Sequence, residues 1–214
     1  MEHRIAVFAS GRGTNFEAIV EATERGEIPA RVVLVVTDRP EAEVVARAAR
    51  HGVECFAFRP KEYASKAEYE AEIVRRCQAA GVELICLAGY MRLVGQTLLE
   101  GYGGRIINIH PSLLPAFRGA RAMEQALEAG VKVFGVTIHE VDASLDGGRI
   151  IAQRAFEYEG NDLEELERRI HAIELFADIT LGEISLAPHF VFISLARAKE
   201  TNQRNRVRGS DAAP

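Results

Sequence analysis

An α/β fold, a doubly wound and mostly parallel sheet with helices on both faces in one domain, follows from three observations. Short β-branched runs alternate with helical segments along most of the chain. The first run enters a glycine loop that opens a helix, Ser10-Gly-Arg-Gly-Thr-Asn15. A later run, Ile106, Ile107 and Ile109, stops at Pro111, which cannot donate to a ladder. The layout is Rossmann-like, with ligands expected outside the carboxyl ends of the strands.

Taken in order, residues 5–9 form a buried strand and the helix after the glycine loop runs from Phe16 to about Arg25. Thr14 and Glu17 have the spacing of a capping box. Gly11 and Gly13 permit tight turns and close approach of an anion, and Thr14 and Asn15 add side-chain donors. Phe16 stands where the dinucleotide fingerprint needs its third glycine, which disfavours a nicotinamide or flavin cofactor. The strand 32–36 leads to Asp38, which suits either a ribose contact or plain turn chemistry before Arg39-Pro40. A helix to about Arg50, a strand at 53–58 and a helix from near Ser65 to Gly81 follow, the last with Ser65 and Glu68 as a capping box.

The strand 83–87 opens into an apolar loop, residues 88–94, whose Tyr90, Met91, Leu93 and Val94 suit the wall of a flat aromatic ligand's pocket, with backbone groups to bond ring heteroatoms. In the strand ending at Pro111, side chains alternate, so Asn108 and His110 share one face. As plain structure they are a capped strand end; as chemistry they are a neutral donor beside a titratable imidazole. Beyond Pro115 come a loop, a helix at 122–129, a strand at 133–140, a loop with Asp142 and Asp146, a strand at 149–156 and a helix from Leu163 to about Phe176. His139, a lone histidine within a strand, reads as structural. Asp146, directly before two glycines, can reach a neighbouring site; Asp142 is the weaker candidate. From Leu175 the pattern loosens, and the polar residues 196–214 are expected to be frayed or disordered.

Composition sets outer limits. The chain has 214 residues, 48% of them hydrophobic, which suffices for a sizeable core. A net charge of -5 argues against nucleic acid as a partner, yet leaves room for a small anionic substrate. No apolar run has the length of a membrane span, and the start lacks a signal-like segment. Cys55, Cys77 and Cys86 read as reduced, buried thiols, which suits a cytoplasmic protein and not a metal site.

Several segments together resemble the folate-dependent formyltransferase family. They are Asn108-Ile-His-Pro-Ser-Leu-Leu-Pro115, the loop ending Leu145-Asp-Gly-Gly148, the first glycine loop, and Leu87-Ala-Gly-Tyr-Met-Arg92. The last two are similar to the branch that formylates glycinamide ribonucleotide in purine biosynthesis. The resemblance covers residues 5–174 and implies a formyltransferase domain over 1–195. It implies 10-formyltetrahydrofolate as cosubstrate, small-molecule substrates only, no metal, and a monomer or homodimer. Gly13, Thr14 and Asn15 would hold the substrate phosphate, and Glu174 would contact the ribonucleotide. Lys66, Tyr90, Met91, Arg92, Leu93, Val94, Val141 and Asp142 would bind the folate. Asn108, His110 and Asp146 would be catalytic: an oxyanion donor, an imidazole that polarises and moves protons, and a carboxylate that supports it.

Two departures stand out. Glu174 is followed by Leu175-Phe-Ala-Asp-Ile, where family members place a histidine and soon a Tyr-Pro, and Arg118 stands where proline is common. Other readings are a formyl-folate hydrolase, a transferase for another amine, a nucleotide- or sugar-phosphate-binding protein without catalysis, and the nicotinamide oxidoreductase that Phe16 weakens.

Overall fold

The computed structural model describes the backbone of residues 2–181, 184–187 and 190–193, and side chains as far as Ile173. The chain runs β1 (His3–Phe8), α1 (Thr14–Glu24), β2 (Ala30–Thr37), α2 (Glu43–Arg50), β3 (Glu54–Ala57) and α3 (Lys66–Ala79), then β4 (Leu84–Leu87), α4 (Gln96–Tyr102) and β5 (Ile106–His110). It continues with α5 (Ala122–Glu128), β6 (Val133–Glu140), β7 (Ile150–Glu157), α6 (Leu163–Leu181) and a small hairpin, β8 (Ile184–Ala187) with β9 (Phe190–Ile193). The side chain of Glu174 and the expected polar tail at 196–214 lie outside the described residues.

One seven-stranded sheet has the order β3-β2-β1-β4-β5-β6-β7. The first five strands pair in parallel, and β6 and β7 add an antiparallel edge. Strand order reverses between β1 and β4, so the loops leaving those strands lie side by side, where open sheets bind ligands.

Alternation in the strands divides the core. Ile5, Val7, Ile107, Ile109, Val136 and Ile138 pack under α1, α2, α5 and α6, with Phe16, Ile19, Val44, Ala126 and Leu166 from the helices. Ala6, Phe8, Leu34, Ile85 and Ile106 pack on the other face under α3 and α4, through Tyr69, Ile73, Leu98 and Tyr102. In β5 and β6 that second face carries Asn108, His110, Thr137 and His139 in place of apolar residues. The apolar cover of this face ends where the polar set begins.

One expected helix start is corrected, a second is found, and one helix is new. The first helix starts at Thr14 with Gly13 as its N-cap, and no side chain caps it, so Thr14 and Glu17 form no capping box. Gly13 sits at φ 75, and a Cβ there would lie 2.5 Å from Val44 Cγ2, so the position requires glycine. The expected capping box at Ser65 and Glu68 is present. Ser65 Oγ accepts from Glu68 N–H at 3.2 Å, and Glu68 reaches back to Ala64 N–H at 2.6 Å. Helix α4, which the sequence pattern did not signal, docks on a buried carboxylate. Glu70, 2% exposed, accepts from Gly95 N–H at 2.7 Å and Leu98 N–H at 3.3 Å, satisfying N–H groups that the helix itself cannot.

Candidate active site

Antiparallel pairing of β5 with β6 sets Asn108 opposite His139 and His110 opposite Thr137. Directly opposed side chains share a face of the sheet. The structure therefore brings His139, read from the sequence as a lone structural histidine, up against Asn108. His139 is 2% exposed. Its Nδ1 lies 2.8 Å from the Glu140 carbonyl, which can only accept, so Nδ1 carries the hydrogen. Nε2 is then the acceptor for Asn108 Nδ2, 3.1 Å away. The same contact fixes the Asn108 amide, leaving its second N–H for a ligand.

Burial holds the His139 imidazole below its ordinary value of 6.5, outweighing the Glu140 carbonyl and Asp146, which act the other way. The folded protein thus resists a proton that the unfolded chain accepts. Stability contributed by neutral His139 is present above pH 6.5 and falls as the pH is lowered beneath it, until the folded value is reached. Melting temperature measured from about pH 7 down to about pH 5 is expected to fall less steeply in His139→Asn than in wild type. Parallel slopes would contradict a buried neutral imidazole.

Asp146 arrives from the β6–β7 loop with φ 46, a left-handed conformation that aspartate tolerates better than most residues. The turn depends on Gly148, where a Cβ would stand 2.0 Å from the Glu140 carbonyl oxygen. The Asp146 carboxylate accepts from Gly119 N–H at 2.7 Å, and the same oxygen lies 3.5 Å from His110 Nδ1. Its other oxygen lies 3.6 Å from His139 Nε2. His110 Nε2 is 2.9 Å from the Phe117 carbonyl. Both ring nitrogens of His110 thus face acceptors.

The segment after Pro111 holds these groups in place. Thr137 Oγ1 donates to the Ser112 carbonyl at 2.7 Å and accepts from Leu114 N–H at 3.0 Å. Ser112 Oγ donates to the Ala116 carbonyl at 2.8 Å. The Leu114–Pro115 peptide is cis. Arg118 is exposed and reaches over the turn that carries Asp146, its Nη1 lying 3.4 Å from the Cβ position of Gly147.

The other expected site residues fall into two groups. At the glycine loop, the Gly13 carbonyl accepts from Glu17 N–H and the Gly11 carbonyl from Val44 N–H, so both carbonyls turn into the fold. Asn15 is 9% exposed. Thr14 and Asn15 open α1, where first-turn N–H groups and the helix dipole favour an anion.

In the loop after β4, Tyr90 and Val94 pack with Val141 against the second core cluster. Tyr90 meets Phe8 edge-on at 5.4 Å, and burial pushes its phenol up, so it stays neutral. Met91 and Leu93 are 72% and 68% exposed, an unusual state for large apolar side chains. The backbone here is less available than expected, because Met91 N–H donates to Ser10 Oγ at 2.9 Å. Arg92 is paired with Asp38 at 3.1 Å. Asp142 accepts from Ser144 N–H at 2.8 Å in a local turn, and Lys66 lies 3.9 Å from Glu70 with its side chain 44% exposed.

A family model described as formyl transferase matches residues 3–178 of this chain. The chain belongs to the formyl transferase family. It is 54% identical to the phosphoribosylglycinamide formyltransferase of Bacillus subtilis (strain 168) over 172 residues, 80% of this chain and 88% of that protein. The crystal structure of glycinamide ribonucleotide transformylase 1 from Geobacillus kaustophilus superposes with a TM-score of 0.84 at 53% identity, covering 87% of this chain and 100% of that one. The corresponding protein from Symbiobacterium toebii gives 0.85 at 45% identity over 89% of this chain and 91% of that one. The chain also matches 13% of the trifunctional purine biosynthetic protein adenosine-3 of Drosophila melanogaster at 42% identity. In this formyltransferase the cysteines Cys55, Cys77 and Cys86 form no disulfide, and burial raises the Cys55 and Cys77 thiols to about 11 and about 12. Among the described residues, no helix is long and apolar enough to cross a membrane.

Proposed function

We propose that this formyltransferase moves the formyl group of 10-formyltetrahydrofolate to the amine of glycinamide ribonucleotide, a step of purine biosynthesis. The observation that carries the reading is the meeting of Asn108 and His110, on one sheet face, with Asp146 from the β6–β7 loop, at the same carboxyl edge of the parallel strands as a glycine loop suited to phosphate. The 54% identity to a phosphoribosylglycinamide formyltransferase supports the choice of acceptor. The domain spans residues 1–195 in this reading.

Gly13, Thr14 and Asn15 hold the ribonucleotide phosphate at the start of α1. Tyr90, Met91, Arg92, Leu93, Val94, Val141 and Asp142 line the folate side, with Lys66 toward its acidic tail. Met91 and Leu93 lose their exposure when the folate covers them, and the release of water from that apolar area favours binding.

Transfer needs no covalent enzyme intermediate. The amine nitrogen attacks the formyl carbon, a C–N bond forms, and the carbonyl electron pair moves to oxygen. The second N–H of Asn108 donates to that oxyanion, and the His110 ring, held between the Phe117 carbonyl and Asp146, polarises the formyl oxygen when protonated. The attacking nitrogen loses a proton on the Asp146 side through water. Folate N10 gains one as its bond to carbon breaks and the carbonyl reforms. His139 stays neutral and keeps the Asn108 amide aimed.

The test is incubation of the purified protein with both substrates, followed by mass analysis of the acceptor. The expected product is the ribonucleotide heavier by one formyl group in place of hydrogen. Formylation of an unphosphorylated glycinamide at the same rate would contradict the acceptor assignment.

A further inference from the structure

The two substrate loops are tied together by residues that the transfer chemistry leaves unused. Ser10 ends the segment after β1 and precedes Gly11. Its N–H donates to the Gly89 carbonyl at 3.0 Å. Its hydroxyl donates to Asp38 Oδ1 at 2.6 Å and accepts from Met91 N–H at 2.9 Å. The second oxygen of Asp38 accepts from Arg92 Nε at 3.1 Å. Ser10 is 1% exposed and the Asp38 side chain 8%.

A hydroxyl has one hydrogen to give. By taking that hydrogen, Asp38 turns a lone pair of Ser10 toward Met91 N–H. The same carboxylate holds Arg92, so three contacts of the loop after β4 (at Gly89, Met91 and Arg92) run to the Ser10–Asp38 pair at the root of the glycine loop. Charge-assisted bonds to a carboxylate are the stronger kind, and this one is sheltered from water.

We propose that Ser10 and Asp38 are positioning residues that couple the phosphate loop to the folate loop, so that each substrate raises the affinity of the other. The proposal rests on the assignment of these two loops to the two substrates. A ligand that fixes the glycine loop fixes Ser10, and through it the backbone at Gly89 and Met91. Linkage then requires that the folate favour the ribonucleotide by the same factor.

The full chain is titrated calorimetrically with glycinamide ribonucleotide, alone and with saturating tetrahydrofolate, a pair that cannot react. Wild type is expected to bind the ribonucleotide roughly 5- to 150-fold more tightly with the folate present, the usual span for such coupling. The ratio should fall close to unity in Ser10→Ala and in Asp38→Ala, and the double variant should be no lower than either single one, because both act through one chain of contacts. Asp38→Asn, whose amide oxygen still accepts from Ser10, should recover much of the ratio.

A purely structural role would lower both affinities and the melting temperature while leaving the ratio intact. That result, or a ratio near unity in wild type, overturns the coupling. Should Asp38→Ala fail to fold, Ser10→Ala, which removes only one oxygen atom, decides alone. Wild-type protein that binds neither ligand refutes the loop assignment itself, and it does so before any variant is made.

Discussion

Asn108→Ala is expected to lower kcat by roughly 10²–10³, the usual loss for one oxyanion donor, while the protein stays folded. The Asn108 side chain makes one bond on the sheet face, to His139 Nε2 at 3.1 Å. Losing one partly buried hydrogen bond costs about 0.5–1.5 kcal/mol, a few degrees in melting temperature for a chain of this size. Asn108→Asp keeps the shape and removes the donor, so it should be as slow as the alanine variant. It also sets a carboxylate against a neutral imidazole acceptor and against Asp146. Measured kcat close to wild type in Asn108→Asp would mean that the amide N–H does not carry the effect.

Asp146→Ala and His110→Ala are each expected to lower kcat by roughly 10²–10⁴, the range for groups that assist proton movement. Their oxygen and nitrogen lie 3.5 Å apart, and one carboxylate oxygen also holds Gly119 N–H. Asp146→Asn separates these duties, because its amide oxygen can still accept from Gly119 while no negative charge faces the imidazole. It should retain the fold and lose nearly as much turnover as Asp146→Ala. The two residues act as a unit, so His110→Ala combined with Asp146→Ala should be far less damaging than the product of the single losses. Multiplicative losses in steady-state kinetics would show two independent roles.

Much of this arrangement is visible in the local pattern of residues. Pro111 ends β5, and period-two alternation then puts Asn108 and His110 on one face. The parallel strands follow from buried runs separated by helices. What local pattern lacks is pairing across the chain. His139 enters the site because β6 runs antiparallel to β5 in a register that sets it against Asn108. The clue was the Asp146-Gly-Gly turn joining two strands of eight residues, which would have folded β6 and β7 into a hairpin.

Helix α4 has no local signal for a related reason. Its seven residues include Gly101, and its start is capped by Glu70, twenty-five residues upstream of Gly95. On sequence alone Glu70 is one more acid on the charged helix α3. Similarly Asp38, ambiguous between a ribose contact and turn chemistry, turns out to join two loops through Ser10 and Arg92. Each of these residues acts through a partner distant in sequence.

The most direct test of direct, acceptor-dependent transfer is a stopped assay that counts formyl groups. Purified protein is mixed with 10-formyltetrahydrofolate, with and without glycinamide ribonucleotide, and formyl folate, formylated ribonucleotide and formate are all quantified. Formyl loss that requires the ribonucleotide, matches product one for one and releases no formate is the predicted result. Formate release at the same rate without the ribonucleotide would contradict the account, because the Asn108, His110 and Asp146 set would then be serving water in place of an amine.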